Sequence, residues 1–370
     1  MRYGFTTGSC SAAAAKAAAY MLLSGREKTK IEIMTPKGIL FRARVLEIQR
    51  SEHVVSCAVR KDAGDDPDVT NHVLVYAKVT TNIPKAYSDR KEKVIIEGGT
   101  GIGRVTKRGL DQPIGAAAIN HVPREMITKE VAEILQLFDY QAPVYVEISI
   151  PEGTVLAEQT FNPQLGIEGG ISVLGTTGIV EPMSEQALLD TIKTELSVKR
   201  AENRELVCIS PGNYGMDFLK RTYGFDLDTS VKCSNFIGNT IDMVVQFGFS
   251  KLLLCGHLGK LIKISGGIMN THSREGDCRM ELLAASGIRA GISGDILGKI
   301  LQCATTEEAV NLIAATGKLK KTMEYVLEKI LFYLDKRAKG KLKIEVILYT
   351  NEHGELIKSK GAEEFMRDMC

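Results

Sequence analysis

The chain lacks most of the patterns that announce a chemistry. Its eight cysteines are never closer than 22 residues, so there is no CxxC pair to bind zinc or cycle as a dithiol, and they read as reduced, mostly buried thiols. Neither sign of charge dominates: Lys+Arg 47 against Asp+Glu 45 leaves +2. A global field able to recruit nucleic acid is therefore absent, and affinity for an anion has to come from local clusters. The most apolar early stretch, Ala12 to Leu23, is broken by Lys16. It suits neither a secretory leader nor a membrane span of about twenty residues. These absences predict a cytoplasmic protein without membrane or nucleic-acid partners.

Ready-made active-site motifs are missing too. No G-x-S-x-G elbow is present, which argues against a hydrolase of that type. His257 and His272 lie fifteen residues apart without HExxH spacing, so no protein-bound metal is expected. Lys61-Asp62-Ala-Gly64-Asp65-Asp66-Pro67-Asp68 puts four carboxylates into seven residues but lacks the twelve-residue EF-hand pattern. Like charges crowded this way raise one another's proton affinity, making Asp65 and Asp66 candidate bases beside a plain acidic turn.

What is present divides in two. At 370 residues the length suggests two domains. Alanine-rich residues 10–23 predict a helix capped by Thr7, Ser9 or Ser11. Strand patterns follow at 30–34, 41–48, 53–60, 73–81, 93–97 and 143–150, with a helix at 123–138. A loop-rich segment, 161–182, carries seven glycines or prolines in twenty-two residues. Phe5-Thr-Thr-Gly8 is echoed there by Gly175-Thr-Thr-Gly178, too short a match to claim a repeat. From Ser184 the pattern alternates: helix 184–201, strand 205–209, helix 213–223, helix 238–248, strand 251–255, then further helices and a closing strand at 342–348. The expected fold class is α/β: a mixed α+β domain over 1–182, then a three-layer α/β/α domain over 183–370 with a largely parallel sheet.

Candidate sites sit where glycine and polar residues follow strands. Ser210-Pro-Gly212-Asn213-Tyr-Gly215 opens a helix directly after a strand, where free backbone N–H groups favour a polar or anionic ligand. It is not GxGxxG, and no acidic residue on an obvious second strand follows at the expected spacing; Asp226 and Asp228 are candidates for that role. Gly98-Gly-Thr-Gly101-Ile-Gly103 is followed by Arg104, Lys107 and Arg108 and lacks the P-loop ending; it could cradle carboxylates or be a tight loop with solvated charges. Asn235 could bond a ligand or cap the helix behind it. Leu252-Leu-Leu-Cys-Gly256-His257-Leu-Gly259-Lys260, continuing to Asn270-Thr-His272-Ser-Arg274, reads as a buried strand ending at a ligand site. Its histidines could bond a substrate, act as bases, or be satisfied structural groups.

Taken in order, Tyr3-Gly-Phe-Thr-Thr-Gly8-Ser-Cys10, Lys61 to Thr70, Gly98 to Gly103, Gly169-Gly-Ile-Ser-Val-Leu-Gly-Thr-Thr-Gly178, Gly256 to Lys260 and Asn270 to Ser273 resemble the CbiD family, the cobalt-precorrin-5B C1-methyltransferases. The resemblance implies methyl transfer from S-adenosylmethionine to ring carbon C1 of a cobalt tetrapyrrole, with cobalt carried by the substrate. For that reaction the cations suit the macrocycle's carboxylates, so the first domain is expected to bind the tetrapyrrole, with Thr6, Thr7, Gly101, Arg104 and Arg108 as candidate substrate contacts alongside Lys260 and Arg274. The second domain would bind S-adenosylmethionine through Ser210, Gly212, Asn213, Gly215 and Asn235. Asp65, Asp66, His257 or His272 would take the proton that methylation releases. A homodimer and transient contacts with neighbouring pathway enzymes stay open, and a non-catalytic corrinoid carrier is the alternative reading.

Overall fold

Alanine has the highest helix propensity and the smallest side chain with a Cβ, and the helix Thr7–Ser24 uses both properties. In the computed structural model, which describes residues 1–225 and 230–369, Ala12 to Ala15 and Ala17 to Ala19 are at most 1% exposed. Such short side chains let neighbouring elements close on the helix from all round, so it is a core element rather than an amphipathic surface one. Its cap is Thr6, whose hydroxyl accepts the Ser9 N–H at 3.2 Å; the three residues expected to cap lie inside the helix. Asp226 and Asp228 lie outside the described residues.

The chain divides into two compact units, Met1–Ser184 and Glu185–Cys370. In the first, a six-stranded sheet runs in the order 30–34, 40–50, 54–60, 74–80, 144–149, 94–98. Its ladders are antiparallel except between 94–98 and 144–149. Period-two alternation decides its faces: Val75, Ala77 and Val79 are fully buried toward the alanine helix while Leu74, Tyr76 and Lys78 are half-buried. Helix His121–Leu137 packs on the alanine helix, and Lys16 reaches Glu130 at 2.6 Å and Glu133 at 3.1 Å.

The two Thr-Thr-Gly segments are neighbours in space. Strand Gly4–Phe5 pairs with Ile179–Val180, Gly8 N–H donates to Leu174 O at 3.2 Å, and Ser9 Oγ donates to Gly178 O at 2.7 Å. The glycine-rich turn at 98–103 also meets other backbone. Gly101 has φ +76, and a Cβ there would fall 1.7 Å from Ile150 O. Its carbonyl accepts the Ile171 N–H, and Gly103 N–H donates to Ile171 O, each at 3.0 Å.

In the second unit the strands Leu206–Ser210, Ser230–Lys232, Lys251–His257 and Lys343–Thr350 are mutually parallel where paired, and Gly354–Lys358 adds an antiparallel edge. Parallel strands are covered on both faces and read as continuous apolar runs. Accordingly Leu252 and Leu254 face one core with helix Leu319–Ala338, while Leu253 and Cys255 face another with helices Asn213–Tyr223 and Ala362–Met369. The expected closing strand at 342–348 is thus internal; the edge strand 354–358 is half-buried throughout, without a face pattern to reveal it.

Gly101→Ala should lower stability by about 2–4 kcal/mol, because the positive φ and the Ile150 carbonyl both oppose a Cβ. Urea unfolding checks this; an unchanged midpoint would mean that the loop relaxes freely.

Candidate functional site

Strand order in the second unit creates a crevice. The spatial sequence is 230–232, 206–210, 251–257, 343–350, 354–358, so from 206–210 the chain steps outward on one side, then returns to pair 251–257 on the other. Helix 213–223 packs on one face and helix 237–246 on the opposite one. Between 206–210 and 251–257 the connections part, and at such a switch point the carboxyl ends of parallel strands leave room for a ligand. A cavity of about 440 Å³ lies there, within the roughly 300–1,000 Å³ usual for small-molecule sites.

Its floor comes from two turns. Helix Asn213–Tyr223 starts at Gly212 without a side-chain cap, leaving first-turn N–H groups for a ligand. A Cβ on Gly212 would meet nothing within 4 Å, whereas one on Gly215 would lie 2.0 Å from Ser210 Oγ and 3.1 Å from Cys255 O. Gly215 therefore lets the helix approach the sheet, and Gly212 simply presents bare backbone to the cavity. Lys260 lines the same space and donates to Pro211 O at 3.2 Å. Burial, with Lys263 nearby, lowers its pKa despite the opposing influence of Cys233.

His257 is fully engaged. Its Nδ1 accepts the Gly259 N–H at 3.0 Å, capping the short helix Leu258–Leu261, and Nε2 lies 3.3 Å from Glu307 Oε1. A neutral imidazole has one accepting nitrogen, and here that nitrogen is already used. His272 repeats the device: its Nδ1 accepts the Arg274 N–H at 3.2 Å, and it is exposed rather than in the cavity. Neither histidine has an idle lone pair, which removes the geometric basis for assigning either as a ready base.

The structure gathers Ser210, Gly212, Gly215, His257 and Lys260 around the cavity and leaves the other residues expected there outside its lining. Asn213 is exposed at the first turn, and its neighbour Tyr214, 80% exposed, lines the cavity instead. Asn235 neither caps a helix nor lines the cavity; its Oδ1 accepts the Thr271 hydroxyl at 3.4 Å and its carbonyl the Thr271 N–H at 2.9 Å. Arg274 is ion-paired with Glu185 and Glu275. Arg279, Thr305, Thr306, Glu307, Tyr349 and Asn351 also line it and were not anticipated. Tyr349 and Asn351 could have been found, since they stand at and just beyond the carboxyl end of a parallel strand. The Thr305 to Glu308 capping box shows a helix start but not its place.

In the first unit, Thr6 and Thr7 are buried and spend their hydroxyls on Ser9 N–H and on the Leu174 backbone. Gly101 is buried as described, so these three belong to the framework rather than to an open surface. Arg104 donates to Glu97 at 2.7 Å and to Gly98 O at 3.0 Å, Lys107 donates to Gln164 O at 3.3 Å, and Arg108 is exposed. In the acidic turn Asp65 accepts the Arg2 N–H at 2.6 Å and Asp66 the Met183 N–H at 2.9 Å. Mutual repulsion does not govern its flanks. Asp62 is lowered chiefly by the Arg2 guanidinium. Burial alone would raise Asp68, but the ammonium of Lys61, itself 1% exposed, and the Thr70 donors outweigh it and hold Asp68 low.

A two-unit α/β protein with a small-molecule cavity at the switch point of its second sheet is the class these features define. Comparison with known proteins specifies it: the sequence model of the CbiD family matches residues 1–182, and that described as CbiD, C-terminal domain, matches residues 270–360. The chain belongs to the CbiD family. Curated relatives named cobalt-precorrin-5B C(1)-methyltransferase include one from Ruminiclostridium cellulolyticum, 45% identical over 100% of this chain and 96% of its own. Another, from Alkaliphilus metalliredigens, is 42% identical over 98% and 97%. A crystal structure of a cobalamin biosynthesis protein (cbiD) from Archaeoglobus fulgidus aligns with a TM-score of 0.38 and 24% identity, covering 78% of this chain and 84% of that one.

Two measurements check the electrostatics and the cap. The folded Asp62 and Asp68 pKa values lie below the usual 3.8, so their stabilisation is complete above that value and lost as pH falls through the lowered ones. The urea midpoint should therefore fall below about pH 4, and Asp68→Asn should flatten that fall while costing stability at neutral pH; an unchanged acid slope would contradict this. His257→Ala should cost about 1 kcal/mol through the lost cap, seen in the same assay, and no cost would show that the cap contributes nothing.

Proposed function

We propose that the chain is a methyltransferase acting on C-1 of cobalt-precorrin-5B, with S-adenosylmethionine as donor and cobalt-precorrin-6A as product, in cobalamin biosynthesis. One observation carries the reaction: curated relatives matching at least 95% of their own length and 97% of this chain bear that enzyme's name. Placement of the donor in the second unit is supported by the chemistry of the cavity lining. Lys260 suits the donor's carboxylate, Arg279 lines the cavity with its guanidinium paired to Asp277, the uncapped helix start supplies N–H groups, and Thr305, Thr306 and Glu307 offer polar partners for the ribose.

When bound, the donor supplies an electrophilic methyl group: the S–CH3 bond breaks with its electron pair kept by sulfur, a C–C bond forms at C-1, and the macrocycle gives up a proton. The cobalt belongs to the substrate. Because both histidines have their accepting nitrogens engaged, Asp65 and Asp66 are the groups left to receive that proton. Each carboxylate accepts one backbone N–H and keeps acceptor capacity for a second partner. Arg104, Lys107 and Arg108 provide cations in the first unit for the acetate and propionate groups of the tetrapyrrole, with Arg108 the most available to bind in the two-pronged way a guanidinium permits. Positioning rather than metal or covalent chemistry is the demand on the protein.

Incubation with methyl-labelled S-adenosylmethionine and cobalt-precorrin-5B should yield labelled product. Binding of the tetrapyrrole without label transfer would overturn the enzyme reading in favour of a carrier. Lys260→Met should weaken S-adenosylhomocysteine binding about tenfold by calorimetry; unchanged affinity would move the donor elsewhere.

A further inference from the structure

Among the described residues, Glu307 is the carboxylate in the cavity lining, and its hydrogen bonding is incomplete. It sits in the first turn of helix Thr306–Ala315, behind the Thr305 cap. Its Oε1 accepts the Asn351 N–H at 3.0 Å and lies 3.3 Å from His257 Nε2. Its Oε2 is shielded from solvent and meets no hydrogen-bond partner among the described residues. A carboxylate oxygen shut away from water without a donor is strongly unfavourable, so an arriving donor group gains what the free protein forgoes.

The charge on Glu307 is already supported by the positive end of its helix and by the two donors on Oε1. What Oε2 lacks is a donor rather than a counter-charge, and that favours a hydroxyl over an ammonium. We infer that Glu307 is the residue that accepts a hydroxyl of the donor's ribose, with His257 and the Asn351 backbone holding the carboxylate in place. This rests on the donor occupying the cavity as proposed above. It gives His257 a positioning role: its cap fixes the ring, and the ring fixes Glu307.

The inference is tested by calorimetry with S-adenosylhomocysteine and its 2′-deoxy and 3′-deoxy forms, against the wild-type protein and Glu307→Gln. The wild type should bind the full ribose about tenfold more tightly than one of the deoxy forms. Glu307→Gln, which keeps the shape but not the charge, should reduce that preference to about twofold or less. Its thermal midpoint should stay close to the wild-type value, since the bonds at Oε1 can be kept and Oε2 has no donor to lose. Equal discrimination by variant and wild type, or none by the wild type with either deoxy form, would overturn the inference while leaving the donor site intact. Failure of the wild type to bind S-adenosylhomocysteine at all would instead sink the donor reading itself. Should the variant not fold, the deoxy series on the wild type alone still decides whether a ribose hydroxyl is recognised.

Discussion

The second unit depends on one close approach, that of helix Asn213–Tyr223 to the carboxyl ends of two parallel strands. Gly215 makes it feasible, since any Cβ would collide with Ser210 and crowd Cys255. With the helix held there, its uncapped start opens onto the crevice where the chain parts around Leu206–Ser210. Gly256 and His257, ending the adjacent strand, form the other side. A bulkier residue at 215 would push the helix away and separate the two turns. The cavity is thus a consequence of backbone packing, and the polar side chains around it are additions to that frame.

Charge within the cavity is divided rather than uniform. Lys260 offers a positive group, Arg279 brings a guanidinium already paired with Asp277, and Glu307 offers a negative one. That division suits a ligand that carries an acid at one end and hydroxyls elsewhere better than it suits a simple polyanion. In the first unit, ionic groups serve a different end. Lys61 is buried against Asp68 and Arg2 joins Asp62, so much of the acidic turn's charge is committed to holding its own shape. Asp65 and Asp66 sit between these pairs and are the members of the turn with capacity to spare.

Much of the fold was legible because local chemistry decided it. Lys30–Met34 and Asn213–Tyr223 were read at their observed bounds, the first from its strand pattern and the second from a glycine-opened turn after a strand. The alanine helix starts three residues earlier than expected, because the hydroxyl that caps it belongs to Thr6, while those of Thr7 and Ser9 bond the 174–178 loop and that of Ser11 bonds the Thr7 carbonyl. The edge strand 354–358 lacked any face pattern. At the cavity, Gly212, Gly215, His257 and Lys260 were visible as glycine and polar residues after apolar runs. Arg279 and Glu307 were not, since only the crossovers bring them to the sheet edge. The histidines drew attention by chemistry, yet both prove to be capping residues, a role that depends on backbone geometry no spacing encodes.

The central claim is that the methyl donor occupies the carboxyl edge of the second sheet. Hydrogen–deuterium exchange with and without S-adenosylhomocysteine tests it most directly. The account predicts slowed exchange in residues 210–216, 256–261 and 305–308, with the 98–108 loop of the first unit unchanged. Protection confined to the first unit, with those three segments exchanging as before, would contradict it.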